Sequence, residues 1–439
     1  MFWVRLLALV SVVGVVCFGN GTVDASSVYN RKIAQLSKKA LLKSTVHTCQ
    51  SATEFALRNN PEYRAALAKI RIYVQKLRAS RLFPTNPEIE ILGKGKLKTS
   101  SGKIEPLPYK WENSLTWKLP IGGRWIRRQR LAQATLTRVQ REVRVKRLGI
   151  VLKVQSVCYK LLVAQQKRAL YQQLVAFYQR VFGLIKRRKQ TGAATILDMN
   201  LARMELLQNQ AALALAIADV KANTEALILR MGWTRRTRLV VRDAASLRLP
   251  AIPNVGTLLQ RAQKHVVLRA LQMRVQELQA MLAWAYAKGI PDIKLKAYYA
   301  LEDNWGHVIG GGLSIPIPII QRNQDKVWST QAKIRQAKLI LRAAQFRIQQ
   351  RVKQSFVQYN ANISVLRLYE KQLLPTFRQQ LKLNERGLRL GSFTILKVIS
   401  AQQSQNKALL QRINVLKQSF DGFIALQEAM GSLLALGTP

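Results

Sequence analysis

The chain has 439 residues, a formal net charge of +49 and a sequence pI near 11.1. Hydrophobic residues make up 48% of it, which is enough for a sizeable core and excludes a wholly disordered protein. The basic residues are spread along the chain, so a solvated basic helical surface explains them better than a nucleic-acid site. Attraction to anionic lipid head groups or an anion-attracting lumen can be part of that surface's role.

The N-terminal segment, residues 1–25, reads as a secretory signal peptide. Arg5 provides a short basic start, an apolar run extends from Leu6 to Phe18, and Val23-Asp24-Ala25 forms a small-residue cleavage site. An uncleaved anchor is the alternative, but the run is shorter than the roughly 20 residues of a spanning helix. Cys17 could indicate a lipoprotein, yet Val16 stands where a small residue is expected.

Beyond the signal, no stretch approaches about 18 uninterrupted apolar residues. A mature protein that spans a membrane must therefore use strands. Cys49 and Cys158 are the cysteines that remain after export. They are too few for a disulfide scaffold, and we predict two isolated packed thiols.

An internal repeat organises the mature chain. The segment 191–199 recurs as 390–398, and Met231-Gly232 recurs as Met430-Gly431 at the same offset of 199 residues. We therefore predict an N-terminal extension over 26–48, a first structural repeat over 49–249 and a second over 250–439. Each repeat is expected to contain a helix, a β-hairpin, a long helix and a return helix.

The first helices are predicted at Ser51–Leu82 and Val255–Lys288, from apolar residues at helical spacing. Hairpins follow at about 87–120 and 291–319, where apolar and polar residues alternate with period two. A soluble hairpin can show the same alternation. Aromatic residues near the strand ends favour a membrane hairpin. The predicted membrane-interface aromatics are Trp111, Trp117, Tyr299 and Trp305.

The long helices are predicted between Gly123 and Gly192 and between Arg322 and Gly391, separations of 69 residues in both repeats. At 1.5 Å per residue each is about 100 Å long. Apolar residues at heptad spacing, such as Leu136, Val143 and Ile150, indicate coiled-coil packing. A kink or break is expected at Pro375, and Gly192 and Gly391 are predicted to mark the reversals into the return helices.

These elements define the fold class, mainly α with a small β part. Two hairpins supply four strands, too few to close a membrane barrel whose backbone groups must all be paired. Three copies would give twelve strands. We therefore expect duplicated long antiparallel helical hairpins, forming an α-barrel tunnel, and a trimeric twelve-stranded β-barrel.

Several motifs in this order resemble the TolC-like outer-membrane efflux family. They are Ala56 through Asn60-Pro61, the segment 312–318 (GLSIPIP), Leu374-Pro375 and the return from Gly391 to Gln402. The resemblance implies a homotrimer in the outer membrane of a Gram-negative bacterium, with a helical tunnel in the periplasm. It also implies that a periplasmic adaptor and an inner-membrane transporter dock at the tip, so that the chain serves as a passive exit duct.

The resemblance also places functional residues at the tip. The adaptor-contact candidates are Gly192, Ala193, Thr195, Gly391, Ser392 and Thr394. Some family tunnels narrow at acidic residues, but here Asp198 has Lys397 as its counterpart, and Arg386 and Arg389 lie nearby in sequence. We take these four residues as possible tunnel-entrance charges and expect an anion-favouring or gate-modified tunnel. The glycines can equally be simple helix terminators.

No catalytic, cofactor or metal site is predicted, and the chain is not expected to be an enzyme. His47, His265 and His307 are far apart without a metal-binding spacing, and Gly93 to Lys103 lacks the spacing of a phosphate loop. Two rivals stay open. An exported basic coiled-coil structural protein or adhesin would explain the rods but not the duplicated hairpins. A nucleic-acid-binding protein would explain the charge but neither the signal nor the repeat.

Overall fold

The computed structural model describes residues 48–94, 97–100, 103–106, 110–233, 241, 249–302, 306–389 and 395–433. The predicted signal peptide and nearly all of the 26–48 extension lie outside these ranges. Trp305, Gly391, Ser392 and Thr394 also lie outside them.

The first half of the chain contains four helices and four strands in the described part. Its elements are α1 (Cys49–Asn59), α2 (Pro61–Ser80), β1 (Glu88–Lys94), β2 (Leu97–Ser100), β3 (Lys103–Pro106), β4 (Lys110–Leu119), α3 (Arg124–Gln190) and α4 (Ile196–Met231). The hairpin lies where the alternating pattern predicts it. The short pair β2 and β3 extends it and forms a separate two-stranded sheet.

The second half repeats the same order of helices and strands. Its elements are α5 (Val255–Gln263), α6 (Val266–Lys288), β5 (Ile293–Glu302), β6 (Gly306–Ser314), α7 (Gln324–Leu368), a π-helical turn (Tyr369–Leu373), α8 (Leu374–Arg389) and α9 (Ile395–Met430). The return helices α4 and α9 both have 36 residues. Their equal length accounts for the constant offset between the two copies of the Met-Gly pair.

Each predicted first helix is in fact two helices, so the prediction of one continuous helix was wrong in both repeats. In the first repeat Asn60 caps α2: its side chain accepts a hydrogen bond from the N–H of Tyr63 at 3.0 Å, and Pro61 occupies the first helical position. In the second repeat His265 caps α6 by accepting from the N–H of Val267 at 3.0 Å. A capping side chain ends one helix and begins the next in both places.

Four strands form an antiparallel sheet in the order β1-β4-β5-β6. The central pairing of β4 with β5 joins the two repeats, with Leu115 opposite Ala297 and Trp117 opposite Leu295. The two hairpins therefore build one sheet.

The two long helices differ in continuity. Helix α3 runs for 67 residues without a break, about 100 Å. The second rod is divided by the π-helical turn that ends one residue before Leu374-Pro375, which confirms the break expected at Pro375. A proline lacks the N–H of a regular helical hydrogen bond, and the wider turn accommodates the preceding carbonyl groups.

Packed apolar side chains hold the helices together. Leu136, Val143 and Ile150 are buried, as the heptad spacing predicts. Among the described residues α3 is the one helix that is long and apolar enough to cross a membrane by length and composition, with a window of mean hydropathy 1.3. More than half of that window, 56%, is buried inside the protein, as in a core helix.

The largest apolar cluster contains a disulfide bond between Cys49 and Cys158, which corrects the prediction of two isolated thiols. The Cα atoms are 5.7 Å apart, and the two residues are separated by 109 positions in the sequence. The bond ties α1 to the middle of α3. Sequence spacing gave no sign of it because the contact is created by the packing of these two helices.

Candidate functional surfaces

The first candidate surface is one face of the four-stranded sheet, which is apolar and exposed. The strand register places ten large hydrophobic side chains on this face, and each is between 39% and 84% exposed. They are Ile89, Ile91, Trp111, Leu115, Trp117, Leu295, Tyr299, Leu301, Ile309 and Leu313. A continuous apolar patch of this size marks an interaction surface, and a membrane is the environment that such a sheet fits.

The opposite face of the same sheet is polar. Lys118 forms an ion pair with Glu88 at 2.9 Å, and Lys296 forms one with Glu112 at 3.0 Å. Both pairs cross between neighbouring strands, so they support the register as well as the polarity. One face suits lipid and the other suits water.

Three of the four predicted interface aromatics lie on the apolar face. Trp117 is two residues from the end of β4 that leads into α3, whereas Trp111 is near the other end and pairs with Leu301. Six residues separate the two tryptophans, about 20 Å along a strand. The Tyr299 hydroxyl lies 2.5 Å from Nδ1 of His307 on β6.

The second candidate surface is the turn between α3 and α4. Gly192 has φ +74°, a conformation that glycine adopts without the strain of a side chain. Its N–H donates to the Lys189 carbonyl at 3.1 Å, and the N–H of Ala193 donates to the Arg188 carbonyl at 2.8 Å. This is a Schellman motif, so Gly192 is the helix terminator that the sequence predicts.

Thr195 and Asp198 begin the return helix. The Thr195 hydroxyl accepts from the N–H of Asp198 at 3.1 Å, and the Asp198 carboxylate accepts from the N–H of Thr195 at 2.9 Å and from its hydroxyl at 2.7 Å. These hydrogen bonds, led by the backbone one, lower the pKa of Asp198. The carboxylate therefore stays ionised, but it is held against the helix terminus.

Basic residues lie in the helices that flank this turn and in the corresponding helices of the second repeat. Lys186 and Arg187 are exposed in the last turns of α3, and Arg386 is exposed on α8. Lys397 is exposed and is the third residue of α9, as Asp198 is the third residue of α4. Arg389 is the last residue of α8.

A polar layer near the turn, with Glu205, Gln402 and Asn406 buried, was not predicted. Gln402 donates to Asn406 at 2.8 Å, and the exposed Gln403 donates to the Glu205 carboxylate at 2.7 Å. The Asn406 amide nitrogen lies 3.5 Å from the hydroxyl of Tyr178. Burial, followed by the charge of Glu205, raises the pKa of Tyr178. These side chains link α3, α4 and α9, and a polar residue in a heptad core is the signal that could have indicated them.

The chain is assigned by its match to a family model. Residues 53–232 and 258–432 match the model of the outer membrane efflux proteins, which covers well over half of the chain. The chain therefore belongs to the outer membrane efflux protein family, as the resemblance to TolC-like proteins predicted. It is an outer-membrane efflux channel protein whose helical part lies in the periplasm. The family is one of channels and not of enzymes.

Individual relatives agree with this assignment. The chain is 22% identical over 390 residues to the cobalt-zinc-cadmium resistance protein CzcC of Cupriavidus metallidurans, covering 88% of this chain and 90% of that protein. Its fold is similar to that of CusC, with a TM-score of 0.72 and 16% identity over 90% of this chain and 96% of the other. The outer membrane protein VceC of Vibrio cholerae gives a TM-score of 0.68 with 16% identity over 88% and 96% of the two chains.

Proposed function

We propose that three copies of the chain form a twelve-stranded membrane β-barrel continued by a helical tunnel. The observation that carries this proposal is the exposed apolar face of a four-stranded sheet whose outer strands, β1 and β6, each pair on one side only within the described residues. A sheet edge in lipid leaves unpaired backbone groups, which cost several kcal/mol each. Joining β6 of one copy to β1 of the next removes both edges.

The assembled channel would act as the exit duct of a tripartite efflux or secretion system. Substrates would pass from an inner-membrane transporter, through an adaptor contact, into the tunnel and across the outer membrane without further energy input. The exposed turn at Gly192 supports an adaptor contact there, together with Ala193 and Thr195. By the repeat, Gly391, Ser392 and Thr394 would provide the second contact.

Charges near the turn would form the tunnel entrance. We propose Asp198, Arg386, Arg389 and Lys397 for this role, with an anion-favouring balance because three of the four are basic. Trp111, Trp117, Tyr299 and Trp305 would lie at the two membrane interfaces, where aromatic side chains are favoured.

Membrane fractionation followed by single-channel recording tests the assembly. We expect the protein in the outer-membrane fraction, migrating as a heat-modifiable trimer, with stable conductance in planar bilayers. Ile309, 84% exposed on the apolar face, offers a matched pair of variants. Ile309→Lys should destabilise the membrane-inserted protein by about 2–4 kcal/mol, the cost of a lysine on the lipid-facing side near mid-bilayer, and so reduce assembly. Ile309→Ala introduces no charge and should assemble.

The exported coiled-coil alternative makes the opposite prediction. A periplasmic monomer without conductance, unaffected by Ile309→Lys, would contradict the channel assembly and favour that alternative.

A further inference from the structure

The outer side of the junction between sheet and helices is marked by a chain of aromatic side chains. The ring of Phe83 lies 5.7 Å from that of Trp117 and 5.9 Å from that of Trp125. Trp117 belongs to the apolar sheet face, and Trp125 is in the first turn of α3. Because Phe83 touches both, the lipid-facing side of the sheet continues onto α3 and the end of α2. Leu82 and Phe83 are 67% and 43% exposed at this point.

Basic side chains lie beside this aromatic chain and at the corresponding helix end of the second repeat. Arg78 and Arg81 are exposed at the C-terminal end of α2. Arg128, three residues beyond Trp125, donates to the Ala79 carbonyl at 3.0 Å, which places its guanidinium beside the same end of α2. In the second repeat Lys288 ends α6 and lies 4.1 Å from the centre of the Trp284 ring. We call Arg78, Arg81, Arg128 and Lys288 the basic belt.

The charges of the basic belt are not balanced by carboxylates. The ion pairs among the described residues include none of its four members. Arg124 gives the contrast, since its guanidinium is bound to Asp292 at 2.6 Å. Because the chain has 71 basic and 22 acidic residues, many of its cations lack a carboxylate partner. The basic belt is distinguished by its position beside an exposed apolar surface, where a cation is suited to an external anion.

We propose that the basic belt binds the phosphate groups of anionic phospholipids in the periplasmic leaflet of the outer membrane. The helices lie in the periplasm, so the strand ends at Trp117 and the adjoining belt face that leaflet. Arginine and lysine stems lie along apolar surface while their charged heads reach the lipid phosphates. The exposed Leu82 and Phe83 provide an apolar contact for the acyl chains, which a free phosphate ion does not need. The proposal does not require a trimer.

Competition between lipids measures this binding. The purified full-length protein is presented with equimolar phosphatidylglycerol and phosphatidylcholine in a mild non-ionic detergent, and bound lipids are counted by native mass spectrometry. We expect enrichment of phosphatidylglycerol, because each basic group near an anionic surface contributes about fivefold in binding. In the variant Arg78→Gln/Arg81→Gln/Lys288→Gln, the binding constant for phosphatidylglycerol relative to phosphatidylcholine should fall by on the order of 100-fold. Arg128 is left unchanged because it also supports the α2 backbone.

A matched control removes the same charge elsewhere. Arg144, Arg147 and Arg351 are exposed, and Arg144 lies 16 residues beyond Arg128 on α3, about 24 Å farther from the sheet. Arg144→Gln/Arg147→Gln/Arg351→Gln should keep the preference, and so should Arg78→Lys/Arg81→Lys. An equal loss in this control would overturn the proposal in favour of diffuse charge attraction.

Two further measurements complete the test: one identifies the source of the bound anion, and the other does not depend on the variant folding. Inorganic phosphate that displaces phosphatidylglycerol at comparable concentration would overturn the lipid assignment and indicate a free-phosphate site. If the glutamine variant does not fold, the wild-type protein still provides the test, since high salt should abolish its preference. A wild-type protein that binds both lipids equally would contradict the proposal.

Discussion

His265 and Asn60 show how two different side chains perform the same structural role. Asn60 caps α2 and donates to the Arg230 carbonyl at 2.8 Å. His265 caps α6 through Nδ1, and its Nε2 lies 3.0 Å from the Glu428 carbonyl. Arg230 and Glu428 are near the C-terminal ends of α4 and α9. Both side chains thus tie a helix break to the end of a return helix, but only the histidine titrates near neutral pH.

The His265 contacts predict a pH-dependent stability. The neutral ring uses Nδ1 as acceptor and Nε2 as donor, and protonation of Nδ1 removes the cap. Burial lowers the pKa of His265 below its ordinary value of 6.5. The contribution of His265 to the free energy of unfolding is therefore fully present above pH 6.5, the pKa in the unfolded chain. It declines as the pH falls below 6.5 towards the lower pKa that His265 has in the folded protein. Urea unfolding midpoints at pH values above and below 6.5 measure the decline.

Asparagine provides the matched replacement. His265→Asn should keep the cap and the donor, as Asn60 does, and should flatten the pH dependence. His307→Asn, at an exposed position, should leave the decline in place. Identical pH profiles for wild type and His265→Asn would contradict the assignment.

Residue-level prediction from the sequence depended on whether the signal was local. The break at Asn60-Pro61 was readable, because asparagine and proline are typical of a helix start, although the predicted helix ran through it. The break at His265 has no such pair, since Lys264 and Val266 flank it. Gly192 was predicted correctly because a glycine between two long helical patterns has few other roles.

At the scale of elements, the disulfide fastens α1 to α3. Both sulfur-bearing residues are buried, with Cys49 1% and Cys158 0% exposed. The bond restricts the unfolded chain over the 109-residue separation. Cys49→Ala/Cys158→Ala should therefore lower the free energy of unfolding by about 2–5 kcal/mol. Urea unfolding with and without a thiol reductant measures this: reductant should destabilise the wild-type protein and leave the double variant unchanged. A variant as stable as the wild type would refute the role.

A charged cluster joins α3 to α6. The Glu277 carboxylate lies 2.7 Å from Nε of Arg138 and 2.5 Å from Nη1 of Arg274. Its side chain is 8% exposed, compared with 43% for Glu142, which contacts Arg138 from the same helix.

Removal of Glu277 should therefore be costly. Glu277→Gln removes the more buried of the two counter-charges of Arg138 and leaves the more exposed Glu142, so it should destabilise the protein by about 1.5–3 kcal/mol. Glu142→Gln should cost about 1 kcal/mol or less, because an exposed pair is screened by water. Denaturant unfolding of both variants gives the comparison. Equal decreases in the free energy of unfolding would show that the burial of Glu277 does not make its ion pairs stronger than those of Glu142.

The elements themselves were largely predictable, because period two and helical spacing are strong signals over long segments. What the sequence could not give were relations between distant elements. The pairing of β4 with β5 and the polar layer of Tyr178, Glu205 and Asn406 depend on packing between segments far apart in the chain. A polar residue at a heptad core position can indicate that such a layer exists, but a single sequence does not show which distant segments meet in it.

At the scale of the whole molecule, the basic residues are spread along the chain, and two groups of them lie where they can affect membrane contact and transport. The sequence alone gave the excess of +49 but not its position on the fold. The fold separates two groups: the basic belt beside the sheet, and the residues near the turn, including Lys186, Arg187 and Lys397. Some 60 residues of α3 lie between them, about 90 Å. At this distance the two groups are electrically independent in physiological salt.

This separation allows the entrance to be tested without disturbing the membrane contact. With Asp198 held against Thr195 and basic residues around it, the tunnel should favour anions. In planar bilayers under a salt gradient, the reversal potential should have the anion-selective sign and should weaken as ionic strength rises. Arg386→Gln/Lys397→Gln should shift it towards cations, whereas Arg78→Gln/Arg81→Gln in the basic belt should not. Clear cation selectivity of the wild-type channel would contradict an anion-favouring entrance, and equal shifts in both variants would place the controlling charges elsewhere in the tunnel.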